Sequence, residues 1–140
     1  MISPLAFVDS AAKIGQNVTI QPFAYIEGDV EIGNNSVIMS GAKILNGTCL
    51  GKGNKIHHNA ILGTTPQDFH YTGEDSRLII GDNNDIRENV VISRATHADG
   101  ASRIGNENYL MDGVHLCHDV HIGNHCVLGI KTTVAGECQI

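Results

Sequence analysis

The sequence predicts an all-β fold: a left-handed parallel β-helix of hexapeptide repeats, about seven triangular coils long, with two protruding loops. Three observations carry that prediction. Stepping by six from Val8 to Ile140 visits 23 positions, and 20 of them are Ile, Leu or Val. These residue types make up 35 of the 140 residues, so a random comb would carry them at one position in four. A period of six fits neither the 3.6-residue helix nor the two-residue strand, but it does fit short extended segments with a corner after each. Second, the pairs Ile14-Gly15, Ile32-Gly33 and Leu50-Gly51 recur at an even step of three hexads, so three hexads close one turn. Third, the comb fails only at Asp68, Glu74 and Ala98, which fall in two clusters. Left-handed winding is the habit of this repeat class and departs from the usual right-handed crossover.

The elements follow in chain order. Val8, Ile14, Ile20, Ile26, Ile32, Ile38, Ile44, Leu50, Ile56 and Leu62 mark an unbroken first run of rungs, each burying its branched side chain against the next. After Leu62 the glycine step, Gly51 to Gly81, is two hexads longer than the regular one, which places a loop at 63–79. Ile80, Ile86 and Ile92 resume the wall. The next step, Gly81 to Gly105, is one hexad longer than regular and places a shorter loop at 93–103. Ile104, Leu110, Leu116, Ile122, Leu128, Val134 and Ile140 complete the series. Glycine, often followed within two or three residues by asparagine (Asn17, Asn34, Asn35, Asn54, Asn83, Asn84, Asn106), is expected to supply the left-handed backbone of the corners. At strand spacing, seven coils make a prism roughly 35 Å long. The whole chain, 1–140, reads as one domain. The comb still runs at Ile140, where no capping segment follows, so the sequence reads as shortened at its C-terminus.

Composition narrows the function. The net charge is −6, with no run of Lys or Arg, which argues against nucleic acid as a partner. Met1 to Ala12 has neither a basic start nor a long apolar stretch, and no membrane span is indicated. The four cysteines form no CxxC pair and read as reduced and buried, which suggests the cytoplasm.

With the corner glycines as a ruler, both loops leave from the same corner on consecutive coils. His118 follows Gly105 at the same offset at which Gly136 follows Gly123, so the two stack on that corner. Thr64, Arg94, His118 and Gly136 therefore form one column. His118, followed by Asp119, is a candidate general base, and a glycine N–H one rung above is a candidate oxyanion donor. His57, His58, His121 and His125 are read as surface residues. The spacings among His115, His118, His121 and His125 leave open a rival reading, a carbonic-anhydrase-like zinc site between subunits. A non-catalytic scaffold is the third.

Three runs carry a more specific signal. They are Thr65-Pro-Gln-Asp-Phe-His-Tyr-Thr-Gly-Glu74, Ile80-Gly-Asp-Asn-Asn-Asp-Ile-Arg-Glu-Asn-Val90 and Leu110-Met-Asp-Gly-Val-His-Leu-Cys-His-Asp-Val-His-Ile-Gly-Asn124. Together they resemble the acyl-carrier-protein–UDP-N-acetylglucosamine O-acyltransferases, which catalyse the first step of lipid A synthesis. The resemblance implies transfer of a 3-hydroxyacyl group from acyl carrier protein, as its phosphopantetheine thioester, to the 3-hydroxyl of UDP-N-acetylglucosamine. It implies no further cofactor, no resident metal, a homotrimer with clefts between subunits, and the cytoplasm of a Gram-negative type of bacterium. It makes His118 the general base, Asp119 the carboxylate that orients it, and Gly136 the oxyanion donor. It gives Gln67, Asp68, His70, His115 and Glu137 to substrate binding. The chain departs from the family at three places. His70 stands where the family usually has Lys, and Glu137 where many members have His. Ser93-Arg-Ala-Thr96 stands where Asn-Arg-Gly-Thr is usual.

Overall fold

The computed structural model describes residues 1–140. Nineteen short strands and no helix form three parallel sheets of seven, six and six strands, the walls of a left-handed triangular β-helix. Wall I runs from Phe7–Val8 to Thr133–Val134, wall II from Lys13–Ile14 to His121–Ile122, and wall III from Thr19–Ile20 to Val127–Leu128. The chain visits them in the order I, II, III, so each strand pairs with the strand three places on.

Register accounts for both excursions. Ile26 pairs with Ile44, and Ile44 with Leu62, at the regular step of three hexads. Leu62 then pairs with Ile92 and Ile92 with Leu116, steps longer by two hexads and by one, before Leu116 pairs with Val134 at the regular step. The inserted residues therefore leave the prism without disturbing the stack. They are fewer than the 63–79 and 93–103 expected, because strands Ile61–Thr64, Arg77–Ile80, Val91–Ser93 and Ala101–Ile104 extend into both ranges. Residues 65–76 and 94–100 lie outside strands.

The comb builds the core. Ile20, Ile26, Ile38, Ile44, Ile56, Leu62, Ile86, Ile92, Leu110 and Leu116 are wholly buried. A second inward column lies two residues before the comb: Val18, Ala24, Val30, Ala42, Ala60, Val90, Val114 and Val120. At the ends the comb loses cover. Val8 and Ile14 are half-buried, and Ile140 is exposed.

The glycines do a different job from the one expected. Gly15, Gly33, Gly51, Gly81, Gly105 and Gly123 do not have positive φ; the left-handed residues of that corner are Asn17, Asn35, Gly53, Asn83, Glu107 and His125, two places on. The ruler glycines are needed for approach. A Cβ on Gly33 would sit 2.4 Å from the carbonyl carbon of Gly51. Asn34, Asn54, Asn84 and Asn106 are likewise not left-handed but bond between coils. Inside the prism, Asn54 Oδ1 accepts the Asn84 N–H at 2.9 Å, Asn84 Oδ1 accepts the Asn108 N–H at 2.9 Å, and Asn108 Oδ1 accepts the Cys126 N–H at 2.8 Å. Buried amides are thereby all partnered.

Two other expectations change. The cysteines are free, but Cys49, Cys117 and Cys126 are only half-buried and Cys138 is exposed. Cys49 alternates with the buried Thr48 and Leu50 along its strand and so faces outward. His57 is no plain surface residue. Its side chain is 15 % exposed and its Nε2 lies 2.6 Å from Asp85 Oδ1 on the next coil. His58, His121 and His125 are exposed.

Candidate active site at the loop corner

The corner between walls I and II gathers the candidate residues. Strand His115–Leu116 delivers His118 to the turn two residues later, and Asp119 takes a left-handed φ of 61° there. The buried hydroxyl of Ser102, one coil below, accepts the Asp119 N–H at 2.9 Å, which secures that turn. The Asp119 carboxylate is thereby aimed back at its neighbour: its Oδ2 lies 2.9 Å from His118 Nδ1. The same oxygen accepts the Thr96 N–H at 3.1 Å.

The other ring nitrogen faces a second carboxylate. Asp68, on the first loop, places Oδ2 3.8 Å from His118 Nε2, beyond hydrogen-bond range but close enough for charge attraction. That Oδ2 accepts the Thr96 hydroxyl at 2.8 Å. Asp68 Oδ1 accepts the His70 N–H at 3.0 Å and lies 3.0 Å from His70 Nδ1. The His70 backbone N–H, then the Thr96 hydroxyl, the His70 ring and the His118 charge hold the Asp68 carboxyl well below the usual carboxylate range. Asp68 is thus an anion fixed beside the imidazole.

Gly136 completes the constellation from the rung above. A Cβ there would meet His118 Nε2 at 2.5 Å and Cε1 at 2.6 Å, so only glycine leaves the ring its place. The Gly136 N–H donates to no group within the chain, whereas the next N–H, that of Glu137, donates to the His118 carbonyl at 3.0 Å. The Glu137 side chain is exposed, as are Gln67 and His70, the latter with 86 % of its side chain free. None of these three side chains bonds to the His118 ring. His115 lies on the outer face of wall I, paired in register with Val91 and Thr133, and is half-buried.

In the predicted column of Thr64, Arg94, His118 and Gly136, Gly136 stands against His118, but the register slips by one on the coils below, where Thr64 pairs with Ser93 and the Arg94 N–H donates to the Thr64 carbonyl at 3.0 Å. The Arg94 side chain turns away from it. Its Nη2 donates to the Tyr71 hydroxyl at 2.6 Å, and its guanidinium lies 5.7 Å from the Tyr71 ring centre, which ties the first loop to the second. Thr96, Ser102 and Tyr71 were not among the sequence candidates. No periodic signal marks Thr96 or Tyr71, because both lie in excursions. Ser102 sits two residues before Ile104, at the inward position where small side chains recur.

No group of three or more His, Cys, Asp or Glu side chains is placed to hold a metal ion. His115 sits on wall I, His118 at the corner and His121 on wall II, so the spacing of three spreads them over different faces. No helix is long and apolar enough to cross a membrane.

Known proteins match this arrangement. The family described as bacterial transferase hexapeptide (six repeats) matches residues 11–46 and 101–140. The acyl-[acyl-carrier-protein]–UDP-N-acetylglucosamine O-acyltransferase of Saccharophagus degradans is 46% identical over 128 residues, 91% of this chain and 50% of the relative. The protein of the same name from Nautilia profundicola is 46% identical over 92 residues, 65% of this chain and 36% of the relative. The crystal structure of LpxA, a UDP-N-acetylglucosamine acyltransferase from Bacteroides fragilis, superposes with a TM-score of 0.97 at 52% identity, covering 99% of this chain and 55% of that one. The chain thus spans half or less of the curated relatives' length. It belongs to the bacterial transferase hexapeptide family, and within it to the LpxA family.

Proposed function

We propose that this member of the LpxA acyltransferases carries the catalytic corner of an enzyme that moves a 3-hydroxyacyl group from acyl carrier protein to the 3-hydroxyl of UDP-N-acetylglucosamine. The observation that carries the reading is the His118 ring, with Asp119 on Nδ1 and a glycine backbone against Nε2. With its proton on Nδ1 and donated to Asp119, the imidazole keeps the Nε2 lone pair for an incoming hydroxyl. Nε2 takes the hydroxyl proton as the sugar oxygen bonds to the thioester carbonyl carbon. The charge that develops on the carbonyl oxygen is met by the free Gly136 N–H. The C–S bond then breaks, and the imidazolium returns its proton to the departing phosphopantetheine sulfur. Asp119 and Asp68 flank the imidazolium while it exists.

Gln67, Asp68, His70, His115 and Glu137 hold the sugar nucleotide at the rim. His70 stands in for the usual lysine, and at 86 % exposure it is free to reach a phosphate. The partners in this reading are acyl carrier protein and two further copies of the chain in a homotrimer, in the cytoplasm, with no cofactor beyond the donor's own phosphopantetheine.

The test is an acyl-transfer assay with 3-hydroxyacyl carrier protein and UDP-N-acetylglucosamine, run beside calorimetric binding of the nucleotide. His118→Ala is expected to abolish transfer while the thermal transition stays close to that of the parent, since the side chain lies outside the aliphatic core. Full activity in that variant sinks the assignment. Parent protein that neither binds the nucleotide nor transfers acyl sinks it for this chain.

A further inference from the structure

We infer that Thr96 is a positioning residue that sets both carboxylates around His118 and so couples the second loop to the first. The inference deepens the reading of His118 as the base and rests on it for its consequence in catalysis. Thr96 sits in an excursion whose next three residues, His97, Ala98 and Asp99, are exposed, yet Thr96 itself is wholly buried. Both of its donors end on carboxylates: the hydroxyl on Asp68 Oδ2 at 2.8 Å and the N–H on Asp119 Oδ2 at 3.1 Å. It is the one residue bonded to both side chains. Those side chains flank opposite nitrogens of one ring.

The two carboxylates need this help unequally. Asp119 follows His118 directly and its turn is already secured by Ser102. Asp68 lies in an excursion, 65–76, without strand structure, so nothing in the prism fixes it. Its only tie to the second loop is the Thr96 hydroxyl, seconded at a distance by Arg94 on Tyr71. That tie holds Oδ2 at 3.8 Å from Nε2. A shorter approach would let Asp68 occupy Nε2 by hydrogen bonding and block the incoming hydroxyl. A longer one would forfeit its support of the imidazolium. Charge-assisted bonds of this kind are strong enough, and directional enough, to choose between those positions.

Thr96→Val keeps the volume and the backbone N–H and removes only the hydroxyl, while Thr96→Ser restores it. The decisive readout is the pH titration of the His118 ring followed by NMR. The charged and titratable groups facing that ring are Asp119 and Asp68, with His70 behind Asp68. Glu137, whose N–H bonds to the His118 carbonyl, follows on the next coil. Thr96→Val is expected to shift the His118 midpoint in the same direction as Asp68→Asn, the double variant to add nothing further, and Thr96→Ser to match the parent. In the transfer assay, Thr96→Val is expected to lose about tenfold or more in kcat/KM, the scale of one charge-assisted hydrogen bond, with Thr96→Ser near the parent. A shift in Asp68→Asn with none in Thr96→Val overturns the inference, and so do additive effects in the double variant. Should Thr96→Val not fold, Thr96→Ser against Thr96→Ala decides by the same titration. A Thr96 effect on the ring in a chain that transfers no acyl group defeats the proposed reaction and leaves the positioning role standing.

Discussion

Two corners of one prism use glycine for the same steric reason and to opposite ends. At the corner between walls II and III, a Cβ on Gly33 would strike the Gly51 backbone at 2.4 Å, and one on Gly105 would strike the Gly123 carbonyl at 2.4 Å. What these glycines make room for is the next coil, and asparagines bond the coils together behind them. At the corner between walls I and II, a Cβ on Gly136 would strike a side chain, the His118 ring, at 2.5 Å. There the space is held open for a reactive group. Backbone against backbone closes a stack, whereas backbone against imidazole seats a base with a free N–H beside it.

The largest expected effect attacks the second kind of glycine. Gly136 does not have positive φ, so Gly136→Ala keeps its backbone and its N–H but drives the imidazole from its present place. A displacement near 1 Å costs catalysis roughly 10²-fold, with the urea midpoint unchanged because the residue lies outside the core. Parent-like transfer by Gly136→Ala means that the ring can turn aside, and the contrast between the corners fails. Gly33→Ala makes the opposite split. The new methyl meets backbone that cannot swing away, and overpacking of that kind costs about 1–3 kcal/mol. Urea unfolding should register the loss, while transfer per folded molecule stays at the parent level. A Gly33→Ala protein as stable as the parent means that the coils separate at little cost.

How far each corner could be read from the residues follows the same divide. A comb of period six reports the core because every turn repeats the same inward step. The register, regular except at two lengthened steps, follows from glycine spacing. His118 beneath Gly136 was legible for that reason, and so was the departure of both loops from one corner. The role of the ruler glycines was misread, because spacing says where a Cβ is forbidden but not whether φ or a neighbour forbids it. His57 was misread because its partner, Asp85, lies far along the chain, across the first excursion. Thr96 could not be found by any period. An excursion has none, and the direction of a side chain within it depends on contacts such as Arg94 on Tyr71.

The smallest expected effect uses the third corner, between walls III and I, as a control that has neither a ladder of buried asparagines nor a loop. Glu88 there is held by Arg87, at 2.9 Å from Nε and 3.3 Å from Nη2, and Arg87 also donates to the Tyr109 hydroxyl at 2.7 Å. The Arg87 hydrogen bonds, chiefly, bring the Glu88 carboxyl down from 4.5 to about 2. A depressed carboxylate adds stability that is fully present above its unfolded value of 4.5 and drains away as pH falls toward 2. Glu88→Gln should therefore be slightly less stable than the parent at pH 7 and converge with it near pH 2, with solvent screening keeping the gap small. Urea midpoints across that window measure it. Transfer at neutral pH should not change, because this corner holds none of the groups around His118. A gap that widens in acid would reverse the sign argued here. A loss of transfer without a loss of stability would instead join the third corner to the site, and the division of labour between structural and reactive corners would no longer describe the prism.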